Sequence, residues 1–149
     1  MKRPLLIGLG ALGVAAAGLA VGRAVGSRPD EPGFEGPLPT CTGVPNCFRA
    51  RQAFDVGPEA LRTALDASVR AGGSVVTGRV LRVTPTETGL RAVFGAGPFR
   101  DDLAAAIVEG SAGQSVLHVR SASRVGESDL GLNRLRVRRL LADVERRLG

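Results

Sequence analysis

Pro4 to Gly22 is a run of nineteen residues without a charged side chain, preceded by Lys2 and Arg3 and followed by Arg23. About 20 apolar residues suffice to cross a hydrocarbon core. A run of this kind is withdrawn from any globular core, and the rest of the chain has to fold without it. Gly, Ala and Leu dominate the run, as they would in an apolar helix. Positive residues at its start favour keeping that end cytoplasmic, which places the remainder outside. The expectation for residues 1–26 is therefore a transmembrane anchor or a signal peptide. Small residues at Ala15, Ala17, Ala20 and Gly22 would permit cleavage, although the run is long for a signal core of about 7–15 residues. The chain is expected at the inner membrane, facing the extracytoplasmic side, or secreted or periplasmic if the segment is removed. Residues 27–40, with four prolines and two glycines, read as an extended tether, leaving 41–149 as the folded domain.

The same N-terminus carries a decoy. Gly8, Gly10 and Gly13 spell G-x-G-x-x-G, and Asp30 follows Gly10 by twenty residues. A dinucleotide site needs a strand before the glycines, a helix after them and a second strand delivering the acid. Asp30 instead sits in linker composition, and no such continuation follows. This motif implies no cofactor.

The net charge of +6 shrinks when it is divided. Of the 20 Lys and Arg, three (Lys2, Arg3, Arg23) lie in residues 1–26, which contain no acid; the remaining 17 face 14 acids, a net +3. With five Phe and no Trp or Tyr, the domain also lacks aromatic platforms on which bases could stack. Both features argue against a nucleic-acid partner.

Cys41 and Cys47 are separated by five residues that include Pro45. Outside the cytoplasm two cysteines in a small domain most often pair. A metal site would need two further ligands in a chain with one histidine, and the redox spacing C-x-x-C is absent. Lipidation at Cys41 would require the apolar segment to lie closer.

Within the domain, Pro58 suits a first helical turn and Gly72-Gly73 a stop, while Leu61, Ala64, Leu65, Ser68 and Val69 share a helix face. Residues 75–84 and 89–95 read as a hairpin around a Thr-Pro-Thr-Glu-Thr-Gly turn. A strand at 115–121 would turn Leu117 and Val119 inward, with His118 and Arg120 on the opposite face. Residues 99–109 carry both helical alanines and the β-formers Ile107 and Val108; a strand is expected there. Val137, Leu140, Leu141, Val144 and Leu148 recur at helical spacing, with Asn133 placed to cap that helix. The fold class predicted is α+β: a small antiparallel sheet of about four strands, a helix before it, and a C-terminal helix packed on it.

Three motifs occur in one order: Pro45-Asn46-Cys47, then Phe99 with Asp101-Asp102, then the run R-S-A-S-R-V-G-E-S-D-L-G-L-N-R from Arg120 to Arg134. The chain resembles, on these motifs, the bacterial and plastid family catalogued as domain of unknown function 1499, from about Cys41 to the C-terminus. Thr42 stands where that family shows Pro, and Leu103–Ala106 where it shows a further acid and an aromatic. The resemblance implies a small extracytoplasmic or lumenal domain, often membrane-attached, and supplies no activity.

The polar run admits three readings. In the first it is a structural network, with Asp101, Asp102 and Asp129 accepting from Arg120, Arg124 and Arg134, and Ser121, Ser123, Ser128 and Asn133 satisfying backbone groups. In the second, Arg120, Ser121, Ser123, Arg124, Asp129, Asn133 and Arg134 hold an anionic small molecule or lipid headgroup near the final helix. In the third, Asp101 and Asp102 act as paired acids of a hydrolase-like site with His118. A Ser121–His118 dyad is awkward, because on a strand the two point to opposite faces. The first reading is the expectation: a membrane-associated, non-catalytic domain without metal or cofactor.

Overall fold

The computed structural model describes residues 25–27, 35–42 and 45–149. The expected span at 4–22 and much of the tether lie outside the described residues. The elements run β1 (Val25–Ser27), β2 (Cys47–Phe54), α1 (Pro58–Ala71), β3 (Arg79–Pro85), β4 (Gly89–Ala96), β5 (Phe99–Glu109), β6 (Ser115–Ser123) and α2 (Leu132–Leu148). The strands form one antiparallel sheet in the order β1-β2-β6-β5-β4-β3. Strands β3 to β6 make a meander. The β2–α1–β3 connection carries the chain from one side of the sheet to the other, and α1 and α2 pack together on a single face. Among the described residues no helix is long and apolar enough to cross a membrane.

The α+β architecture matches the expectation, with more strands than anticipated. Strand β2 was hidden behind the cysteines. Its alternation is visible once they are set aside: Phe48, Ala50, Gln52 and Phe54 face the helices, while Arg49 and Arg51 face away. Residues 99–109 form a strand throughout, because β5 is a central strand whose Leu103, Ala105 and Ile107 are buried beneath the helices. The first hairpin strand begins four residues later than its apolar pattern suggests. Ser74 closes a loop with Gly78, the Ser74 amide donating to the Gly78 carbonyl at 2.9 Å, and this leaves Val75 and Val76 exposed.

The core is one cluster between the helices and the sheet. Leu61 and Leu65 of α1 and Val137, Leu141 and Val144 of α2 meet Leu103, Leu117, Val119 and Phe94. Each fully buried leucine contributes about 2 kcal/mol of transfer free energy. Helix α2 starts differently from the expectation. Gly131 adopts a left-handed conformation (φ 83°), and the Asp129 carboxylate accepts from the amides of Gly131 (2.9 Å) and Asn133 (2.6 Å). Asp129 thereby satisfies the free amides at the helix start. Asn133 is released from capping and turns its side chain into the core.

Candidate functional site

The predicted polar residues divide between the two faces of the sheet, because successive strand residues point in opposite directions. On the helix face the centre is Arg136, which the sequence reading passed over among its neighbouring arginines. Its guanidinium is 4% exposed. It donates to Asp101 Oδ2 (2.5 Å), to the Thr77 carbonyl (3.0 and 2.6 Å), to Ser121 Oγ (2.8 Å) and to Asn133 Oδ1 (2.7 Å), and it covers the Phe94 ring at 4.7 Å. Ser121 Oγ donates to Asn133 Oδ1 at 2.6 Å. The Asn133 amide donates to the Asn46 carbonyl (2.9 Å) and to Ser123 Oγ (3.0 Å). This network joins the loop of the cysteine pair, the end of β6 and the start of α2. Cys41 and Cys47 form a disulfide, with Cα atoms 5.6 Å apart.

The opposite, open face is basic. Its register lines up Thr84, Arg91, Ala104, Arg120 and Arg49 in one row across five strands. Arg91 and Arg120 therefore flank Ala104 at two strand spacings, about 10 Å. Because Ala104 and Ala106 carry only methyl groups, the sheet is hollow here. A groove of about 860 Å³ lies over them, lined by Arg82, Arg91, Arg120 and Arg124, by Thr84, Thr86 and Thr88, and by Pro37–Pro39 on its other wall. Asp102 is the one carboxylate among the described residues that line it. Arg124 clamps that carboxylate through Nε (2.8 Å) and Nη2 (2.7 Å). The Arg124 hydrogen bonds hold the Asp102 carboxyl below its ordinary range against the opposing effect of burial, and the charge of Arg120 adds to the lowering. Arg120 Nε is buried and has no hydrogen-bond partner.

The strip 35–41 belongs to this face. The Leu38 carbonyl accepts from Arg49 at 3.2 Å. Gly36 lies directly on the His118 ring, where a Cβ would stand 2.6 Å from Nδ1. Burial, together with the positive charges of Arg51 and Arg49, lowers the His118 pKa and favours the neutral imidazole.

The seven residues proposed as a ligand set are thus not one constellation. Arg120 and Arg124 are on the open face. Ser121 and Asn133 lie in the Arg136 network, with Ser123 at its edge, and Asp129 is at the helix start. Arg134 is on the helix side, 5.2 Å above the Phe48 ring. Asp101 and Asp102 face opposite sides, each in its own ion pair, so they present no shared pair of acids. His118 shares a face with Arg120, as its alternation predicted, but lies beneath Gly36. Arg82, Arg91 and Arg49 were missed. The signal was the same alternation in β2, β3 and β4, combined with a register that the sequence does not display. Among the described residues, no group of three His, Cys, Asp or Glu could hold a metal ion.

A two-layer α+β domain with helices on one face and an arginine-lined groove on the other is the class the geometry defines. The chain belongs to the family described as Protein of unknown function (DUF1499), whose model matches residues 37–144. That match includes the Pro37–Pro39 wall of the groove. No curated protein and no solved structure matches the chain.

Proposed function

We propose that the protein is a membrane-associated, extracytoplasmic, non-catalytic domain that binds an anion, of the phosphate or carboxylate class, in the open-face groove. The observation that carries this reading is Arg120. It borders the groove together with Arg82, Arg91 and Arg124, and the one carboxylate among the described lining residues, Asp102, is already held by Arg124. An anion seated over Ala104 would lie between the charges of Arg91 and Arg120, which flank it from the two neighbouring strands. The apolar run at 4–22 and the disulfide support an extracytoplasmic site attached to the membrane. The Arg136 network supports a structural role for the remaining polar motif, since its strongest donors and acceptors already serve one another.

The test is thermal unfolding of the full chain in neutral detergent, with inorganic phosphate against chloride at matched ionic strength. Phosphate is expected to raise the midpoint, since a ligand at 100 times its Kd stabilises by about 2.7 kcal/mol. Arg120→Gln is expected to abolish the rise, and Arg134→Gln to keep it. No rise in the wild type, or equal loss in both variants, would sink the reading.

A further inference from the structure

Six large apolar side chains stand in solvent at one end of the sheet. Val75, Val76, Leu81, Phe99, Val125 and Leu130 are each between 53% and 92% exposed. They come from three separate segments: the loop before β3 with the first residues of that strand, the first residue of β5, and the loop between β6 and α2. These segments form one surface. Val76, Phe99, Val125 and Leu130 rim a pocket of about 260 Å³, and Val75 and Leu81 border a neighbouring hollow that shares Ala96 and Arg100 with it. Scattered exposed apolar residues are ordinary in soluble domains, whereas a contiguous set marks an interaction surface.

Leu130 sharpens the point. It is the most exposed of the six, and its backbone is left-handed (φ 54°), a conformation that glycine or asparagine adopts at lower cost. Neither the turn nor the core accounts for a leucine at this position.

We infer that this apolar end rests on the bilayer, with its side chains in the headgroup and upper acyl region. The charge around it fits an anionic surface. Arg79, Arg82 and Arg100 border the end, and basic residues near an anionic membrane are drawn to its surface. Of the acids nearby, Asp101 is held by Arg136, Asp102 by Arg124, and Asp129 is committed to the start of α2; Glu127 completes the set. A third hollow, lined by Leu81, Arg82, Val93, Arg100 and Arg124, connects the apolar end to the basic groove. A domain seated in this way opens its anion groove toward the headgroup layer. The inference rests on the membrane attachment proposed above and is independent of whether the groove binds an anion.

The absence of Trp from the chain supplies the probe. Phe99→Trp reports on the apolar end, and Val108→Trp on the opposite end of the same strand. The full-length chain is reconstituted in vesicles of phosphatidylcholine and phosphatidylglycerol in equal parts, with bromine on the acyl chains. Expected are blue-shifted emission and strong quenching for Phe99→Trp and several-fold weaker quenching for Val108→Trp. Adding Leu130→Asp, or omitting phosphatidylglycerol, should reduce the Phe99→Trp signal. If the chain floats with the vesicles but both probes are quenched alike, or neither is, docking through this end is overturned while membrane attachment stands. A chain that does not float overturns both. Loss of quenching together with a dimer seen in sedimentation would assign the surface to a second copy and also overturn the proposal.

Discussion

Replacing Arg136 tests the interior of this domain most directly. Arg136→Met keeps much of the aliphatic stem and removes the guanidinium. It leaves the Asp101 carboxylate without its counter-charge and the Thr77 carbonyl without two donors, and it strips one donor from Asn133 Oδ1. Breaking a buried ion pair by removing one partner costs about 3–5 kcal/mol, mostly because the other charge is stranded. The Asp101 side chain is 16% exposed and can reach water, so the expected loss is at the low end, about 3 kcal/mol. That is a large share of a net stability of about 5–15 kcal/mol. In a domain of this size it lowers the melting midpoint by roughly 10 °C. The same change at Arg124 gives the comparison. The Arg124–Asp102 pair is half exposed on both sides and screened by solvent, so Arg124→Met should move the midpoint far less than Arg136→Met. The assay is urea unfolding followed by circular dichroism, with Asp101→Asn added to Arg136→Met as a third sample. Neutralising the stranded acid should recover part of the loss. Equal midpoints for the Arg136 and Arg124 variants, or no recovery from Asp101→Asn, would refute the argument that a saturated interior network holds α2 to the sheet.

Two further outcomes follow from the geometry. The depressed His118 pKa means that the unfolded chain takes up a proton first as pH falls below its ordinary value of 6.5. Stability from this group is therefore complete above 6.5 and is lost as pH falls from there through the folded pKa, at up to about 1.4 kcal/mol per pH unit. Melting midpoints between pH 7 and 5 should fall more steeply for wild type than for His118→Gln, and parallel curves would disprove it. Replacing both Cys41 and Cys47 with Ala should cost about 2 kcal/mol, the loop-closure value for so short a loop, read as a drop in the urea midpoint. An unchanged midpoint would mean that the Asn46 hydrogen bonds to Asn133 and Gly126 already hold the loop.

Both helices, the strand at 115–121 and the division of Leu117 and Val119 from His118 and Arg120 were legible from periodicity, because each depends on the burial of one element's own face. The disulfide followed from the expected compartment and from cysteine number, and the family from the three motifs. The split of Asp101 from Asp102 was also available: once residues 99–109 are a strand, adjacent acids must diverge. Arg136 was hidden. Helical spacing does place it on the side of Asn133 and Leu140, but only the meeting of α2 with β5 and β6 makes an arginine there a partner instead of a buried liability.

By itself, then, the sequence determined which residues of α1, α2 and β6 turn inward, where α1 begins and ends, and that Cys41 and Cys47 would pair. Those properties depend on local spacing and short loops. Tertiary structure decided that β2 lies beside β6, so that Arg49 and Arg120 share a row, that Ala104 forms a hollow between Arg91 and Arg120, and that three distant segments gather six apolar side chains at one end. Each of these depends on strand order and register, which are set by the simultaneous burial of faces far apart in the chain.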